Sequence, residues 1–228
     1  QALLSNNLAT VSTNGFREEL ATYRSVPPNG PGSSTRVFAL ETTTGHSNLP
    51  GPVQRTGRNL DAMAQGNAWF TVQGLDGTEA YTRSGIFEIS PTNTLVTPTG
   101  LPVLSDGGAP IDVPQGADIT LGTDGTISAK VAGQASTSLG RLKMVTPDAD
   151  NPIKRGDDGL FRGATGDPLP QDANAKLLGG AIEGSNVNAV ATMVGMIQTA
   201  RQFETQMRLL QTAETNDKSA SQLLNVQG

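Results

Sequence analysis

Apolar positions along the chain follow different periods in different stretches, and each period predicts its own kind of element. Leu4, Leu8 and Val11 fall at helical intervals, and Phe16, Leu20 and Tyr23 repeat that spacing. Gly15 separates the two runs and predicts a bend or a helix end. Pro27-Pro28-Asn29-Gly30-Pro31-Gly32 then stops any helix. From there to about residue 185 the apolar residues alternate with polar ones in short runs, the pattern of half-buried strands. Runs at 69–73 and 79–83 predict a hairpin around Asp76-Gly77, two residues that both tolerate positive φ. Further strands are expected at 86–89, 95–97, 101–104, 111–113, 118–121, 126–128 and 141–145, with Asp124-Gly125 as another turn. From Asn188 onward the pattern is helical again. Val190, Met193, Ile197, Ala200, Phe203, Met207 and Leu210 recur every three or four residues, predicting an amphipathic helix with a coiled-coil-like stripe. Ser185, Asn186 and Asn188 are its possible N-caps, and Glu204 and Arg208 are spaced for an i, i+4 pair.

Turn signals at this density predict an antiparallel barrel or sandwich. The expected architecture is mixed α and β. A mainly antiparallel β-domain at 26–185, opening with a Pro/Gly-rich linker at 26–34, sits between a helical segment at 1–25 and another at 186–228. The two ends are expected to associate. A helical stripe needs a partner to bury it, and either its own β-domain or the helices of other subunits could serve.

Composition narrows the function. With 228 residues, 36% of them hydrophobic, the chain can bury a sizeable core. Only 4% are aromatic, and there are 27 glycines, which suits a loop-rich fold of small residues. A net charge of −5 disfavours a nucleic-acid surface. Without cysteine there is neither a disulfide framework nor a thiol nucleophile. No apolar run approaches the roughly 18 residues of a membrane span, so no membrane insertion is expected. The start lacks the basic and apolar regions of a signal peptide, and a chain opening at Gln1 is expected to lack its natural beginning.

Candidate chemistry is sparse. Gly45-His46-Ser47 has part of a nucleophile elbow, but Leu49 stands where glycine is needed and His46 is the only histidine. A solvated loop is the expected place for it. Asp148, Asp150 and Asn151 approach a calcium loop, which Pro152 and Ile153 interrupt. Asp157-Asp158-Gly159 reads as a turn. No cofactor, metal or catalytic residue is expected. Gly15 should serve a backbone turn, Asp61 should accept local hydrogen bonds in a loop, and Gly66 should permit a tight entry into the Trp69 strand.

Three ordered blocks carry a resemblance. They are 5–17 (Ser-Asn-Asn-Leu-Ala-Thr-Val-Ser-Thr-Asn-Gly-Phe-Arg); Thr56-Gly57-Arg58-Asn59-Leu60-Asp61 with Gln65 to Phe70 and Tyr81-Thr82-Arg83-Ser84-Gly85; and Glu183-Gly184-Ser185-Asn186-Val187 leading into Met193-Val194-Gly195-Met196-Ile197. In this order they closely resemble the bacterial flagellar rod and hook proteins, over nearly the whole chain. Within that family the tail, Ala200 to Met207 with Gln222-Leu223-Leu224, is similar to a proximal-rod member rather than to distal-rod or hook proteins. Asn93-Thr94 departs from the family's common Asn-Gly turn.

The resemblance implies a structural subunit of the basal-body rod and no enzyme. Terminal helices would form the inner layer of a hollow helical shaft, with the β-domain outside. Subunit packing would fall to Leu4, Leu8, Val11 and Phe16 at the front, and to Val190, Met193, Ile197, Ala200, Phe203, Met207 and Leu210 at the back. Partners would be other rod proteins and further copies of the chain, with the P and L rings around them and the flagellar type III apparatus as exporter. The expected location is the basal body, spanning the periplasm. The alternatives are the distal rod protein and, from a different class, a periplasmic cell-wall hydrolase.

Overall fold

The computed structural model describes residues 2–26 and 38–225. Most of the linker expected at 26–34 lies outside the described residues. The chain separates into two compact units, Gln1–Val11 with Val187–Gly228 and, between them in sequence, Ser12–Asn186. The first is helical, with α1 at Ala2–Ala9 and α2 at Ala189–Asn225. The second is antiparallel β throughout the described residues.

In chain order the β unit runs through β1 (Glu19–Val26), β2 (Phe38–His46), β3 (Val53–Arg55), β4 (Ala62–Ala64), β5 (Trp69–Gln73) and β6 (Glu79–Thr82). Next come β7 (Glu88–Ile89), β8 (Leu95–Val96), β9 (Asp118–Leu121), β10 (Thr126–Lys130), β11 (Thr137–Arg141) and β12 (Met144–Val145). The last are β13 (Ile153–Arg155), β14 (Phe161–Gly163), β15 (Leu177–Gly179) and β16 (Ala181–Glu183). A five-stranded sheet has the order β12-β5-β6-β14-β13, and a three-stranded sheet the order β11-β10-β9. The remaining strands form two-stranded ribbons, among them β15-β4 and β16-β3. Those two pairings return the end of the β unit to its beginning, with Leu177 opposite Ala64 and Ala181 opposite Arg55.

Hairpin chemistry repeats along this unit. The segments 74–78, 122–126 and 156–160 share the order Gly-x-Asp-Gly-x. In each, the first amide donates to the fifth carbonyl at 2.7–2.8 Å. The Asp Oδ1 accepts the fifth amide at 3.0–3.1 Å. The fourth residue, Gly77, Gly125 or Gly159, takes φ of 78°, 87° or 79°. These are three-residue loops, a type I turn followed by one left-handed residue. They are not two-residue turns with positive φ at both positions, because only the glycine leaves the right-handed half. At 90–94 and 97–101 the hydroxyls of Ser90 and Thr97 replace the carboxylate, accepting the amides of Thr94 and Leu101 at 3.0 and 3.2 Å. Asn93 supplies the left-handed residue itself, with φ 60°.

The five-stranded sheet is buried on both faces. Phe70, Val72, Leu142 and Met144 join Phe87, Leu95, Val103, Ile127 and Leu177 in the larger core. Trp69, Tyr81, Val145, Ile153, Phe161 and Leu169 form a second cluster.

Four expected elements change. The spacing of Phe16, Leu20 and Tyr23 is helical, yet 19–26 is strand β1, paired with β2 from Glu19↔His46 to Val26↔Phe38. Weak periodicity loses to tertiary pairing here, and Gly15 shows why the helix cannot run through. Its φ is 71°, its amide donates to the Glu183 carbonyl at 2.8 Å, and a Cβ there would lie 2.3 Å from the Ser84 nitrogen. The run 141–145 is not one strand. Arg141 pairs with Thr126, Leu142 and Lys143 donate to Gly125 and Leu104, and Met144 pairs with Phe70, so the segment passes from one sheet to another. The runs at 101–104 and 111–113 make isolated bridges only, because three-residue loops leave two or three residues between turns.

Candidate functional site

Within the helical unit, α2 is capped by Asn188, whose Oδ1 accepts the Ala191 amide at 3.0 Å. Thirty-seven residues make a helix about 55 Å long. Thr192, Thr199, Thr205, Thr212 and Thr215 each return their hydroxyl to the carbonyl four residues back, at 2.8–2.9 Å. Those polar groups are thereby satisfied inside the helix. Glu204 and Arg208 do not pair, whereas Lys218 reaches Glu214 at 2.6 Å.

The stripe named from sequence is uncovered. Val190, Met193, Ile197, Phe203, Met207 and Leu210 are 42–72% exposed, and Ala200 is half-buried. The chain's own first helix uses a different face. Both methyls of Leu4 would meet a Cβ at Gly195 at 3.5 Å. Gly195 lies about 160° round the helix from both Met193 and Ile197. Thr192 is buried beside it, and Met196 and Thr199 are half-buried. Leu8 and Val11 are half-buried. Phe16 does not belong with them: it is 5% exposed inside the β unit, under the Arg155 guanidinium at 4.1 Å.

Inside the β unit the three sequence blocks converge on one buried ion cluster. Glu183, at the end of β16, holds Arg17 at 3.0 Å through Oε1 and Arg83 at 2.5 Å through Oε2. Arg83 Nε adds a second bond at 2.7 Å, and the Gly51 amide donates to Oε1 at 2.8 Å. All three side chains are at most 1% exposed. Arg83 also donates to the carbonyls of Ala64 at 2.9 Å, Gly66 at 3.2 Å and Ala68, and Arg17 donates to that of Leu49. Trp69 lies beside both guanidiniums, 5.9 Å from each. Burial, then the charge of Arg83, pushes the Arg17 guanidinium down to about 10 against the pull of Glu183. Nearby, Asn186 accepts the Glu18 amide at 2.6 Å and donates to Leu49 O at 2.8 Å, so it joins the ends of the β unit and does not cap α2. This carboxylate is occupied by donors on both oxygens, which makes it a clamp between Arg17 and Arg83.

The sequence blocks contained Arg17, Arg83 and Glu183 without assigning them a role. The available signal was one charged residue in each stretch, Arg17 closing 5–17, Arg83 inside 81–85 and Glu183 opening 183–187, with one sign complementary to the other two. Asp61 differs from expectation as well. It is 1% exposed, its Oδ1 faces Arg58 Nη1 at 3.4 Å, and that oxygen accepts no hydrogen bond. Gly66 does turn with φ 60° ahead of Trp69.

His46 does not stand in a solvated loop. It ends β2 half-buried, its ring 4.8 Å from Phe161 and 6.1 Å from Trp69. Burial, with Arg17 and Arg155, holds it below its ordinary pKa. Asp148 Oδ1 accepts the amides of Asn151 and Asp150 at 2.7 and 3.0 Å, an Asx turn. Among the described residues, no group of three or more His, Asp or Glu is arranged to hold a metal ion, and no helix is long and apolar enough to cross a membrane.

An antiparallel β unit clamped at its two ends, preceded by a short helix and followed by a long one in sequence, is shared with known proteins. Residues 63–129 match the family model described as the flagellar hook protein FlgE/F/G D1 domain, and residues 178–223 match that of the flagellar basal body rod FlgEFG protein C-terminal region. The class is that of the flagellar rod and hook proteins. Flagellar basal-body rod protein FlgF of Escherichia coli strain K12 is 42% identical over 99% of this chain and 92% of its own length. FlgF of Salmonella typhimurium strain LT2 is 41% identical over the same shares. FlgG of Buchnera aphidicola subsp. Acyrthosiphon pisum is 31% identical over 97% of this chain and 92% of its own length. The chain belongs to the family of flagellar basal-body rod proteins.

Proposed function

We propose that the chain is a structural subunit of the proximal rod, assembling with copies of itself and with other rod proteins into a hollow axial shaft. In that assembly the terminal helices pair with helices of neighbouring subunits in a coiled-coil-like layer. The P and L rings surround the shaft, which spans the periplasm, and the flagellar type III apparatus exports its subunits. The role is mechanical and needs no catalytic group. The 42% and 41% identity to FlgF of Escherichia coli and Salmonella typhimurium, against 31% to FlgG of Buchnera aphidicola, supports the proximal over the distal position.

The uncovered stripe on α2 carries this reading. Burying Ile197 or Leu210 stabilises by roughly 1.5–3 kcal/mol each, and the chain's own α1 seats its Leu4 on the opposite face. The test is Ile197→Asp in cells. The carboxylate forfeits that burial and adds the cost of desolvating an unpaired charge. Export and β-unit melting should stay as in the parent, while rod completion fails and motility is lost. Gln198→Asp, one position off the stripe, should be far milder. Cells with Ile197→Asp that swim normally would overturn the proposal.

A further inference from the structure

Three of the five methionines lie on α2, and they are not equivalent to the other two. Met193 and Met207 are 49% and 42% exposed on the stripe. They share one line of the heptad with Ala200 between them, about 21 Å apart along the axis. Met196 is half-buried on the flank. Met63 and Met144, in the β unit, are only 9% and 1% exposed. The thioethers open to solvent before assembly are therefore those that the proposed assembly would bury.

We propose that Met193 and Met207 are oxidative modification sites whose conversion to the sulfoxide, by a peroxide-class oxidant, makes the unassembled subunit incompetent to join the rod. This rests on the packing role proposed above for the stripe. In the step, a sulfur lone pair attacks one oxygen of hydrogen peroxide and the O–O bond breaks. The S–O bond forms, and the remaining oxygen leaves as water with both protons. Sulfur is oxidised by two electrons and the peroxide is reduced by two. The product is a polar, chiral side chain on an apolar seam. Its S–O dipole is hydrated on the free helix, and burying it on an apolar seam removes that hydration and puts polarity where apolar contact is needed, which weakens association by about tenfold or more. Methionine sulfoxide reductases reverse the change, so the modification is a reversible block.

The test begins with the folded full-length chain in dilute hydrogen peroxide, followed by peptide mass mapping. One added oxygen is expected on Met193 and on Met207, with Met63 and Met144 unmodified; the reverse distribution overturns the proposal. Cells growing new flagella are then dosed with peroxide, carrying either the parent chain or Met193→Leu/Met207→Leu. Completed rods should fall about tenfold with the parent and less than about twofold with the leucine variant; equal falls overturn it. Met193→Gln/Met207→Gln places comparable polarity on the seam without oxidant and should lose rods in untreated cells, and normal rods there overturn the proposal independently of any peroxide damage elsewhere. Ile197→Asp in the same untreated cells separates the two readings: if it assembles normally, the stripe's packing role falls, whatever the oxygen map shows.

Discussion

Glu183→Gln isolates the buried clamp, because it changes charge with almost no change in volume. Gln can still accept the Gly51 amide, so neither a cavity nor an unpaired backbone donor results. What disappears is the carboxylate that two guanidiniums share, at 3.0 and 2.5 Å, in a site at most 1% exposed. At an effective dielectric of 20, opposite charges about 4 Å apart attract by about 4 kcal/mol. The neutral amide is easier to bury than the carboxylate, which returns part of that. Removing one partner of a buried pair typically destabilises by about 3–5 kcal/mol. For a unit of this size, each kcal/mol moves Tm by roughly 2–4 °C, so a fall of roughly 6–20 °C is expected. Trp69 is the single tryptophan and lies beside both arginines, so its fluorescence reports melting at the clamp itself. A Tm fall below about 2 °C for Glu183→Gln would refute the reasoning.

Two further outcomes follow from the same structure. Tyr81 accepts the Leu169 amide at 2.6 Å and donates to Glu79 at 3.0 Å. Burial raises its hydroxyl pKa above the ordinary value of 10, opposed by the Leu169 amide and aided by Glu79. A raised folded-state pKa means that its stabilisation is complete below pH 10 and is lost as pH climbs toward the folded value, by about 1.4 kcal/mol per unit. Tyr81→Phe has no such proton to lose, so it should lose less stability than the parent between pH 10 and 11 in denaturant titrations. At Asn93, with φ 60°, substitution by Gly should leave Tm unchanged or raise it, and Val should lower stability by about 1–2 kcal/mol, read from thermal melts.

Local chemistry was legible in the sequence. The Asp-Gly turns, the strand pairs they join and the long C-terminal helix depend on residues within about one turn or one hairpin of each other. Such preferences act whatever the rest of the chain does. The stripe from Val190 to Leu210 was legible for the same reason, as was the likeness to rod and hook proteins, which lies in ordered blocks of residues. Where local and distant demands conflicted, distance won. Helical spacing at Phe16, Leu20 and Tyr23 gave way to pairing of β1 with β2, and 141–145 was divided between two sheets.

Composition, turn placement and the two amphipathic ends were determined by the sequence alone, since each is a property of neighbours along the chain. The tertiary structure alone decided that Arg17, Arg83 and Glu183 are one object, the latter two 100 positions apart. It also decided that α1 sits on Gly195 and leaves the stripe free. Burial sets the strength of a charge pair, and backbone approach selects which helix face is used; neither exists until distant segments have packed.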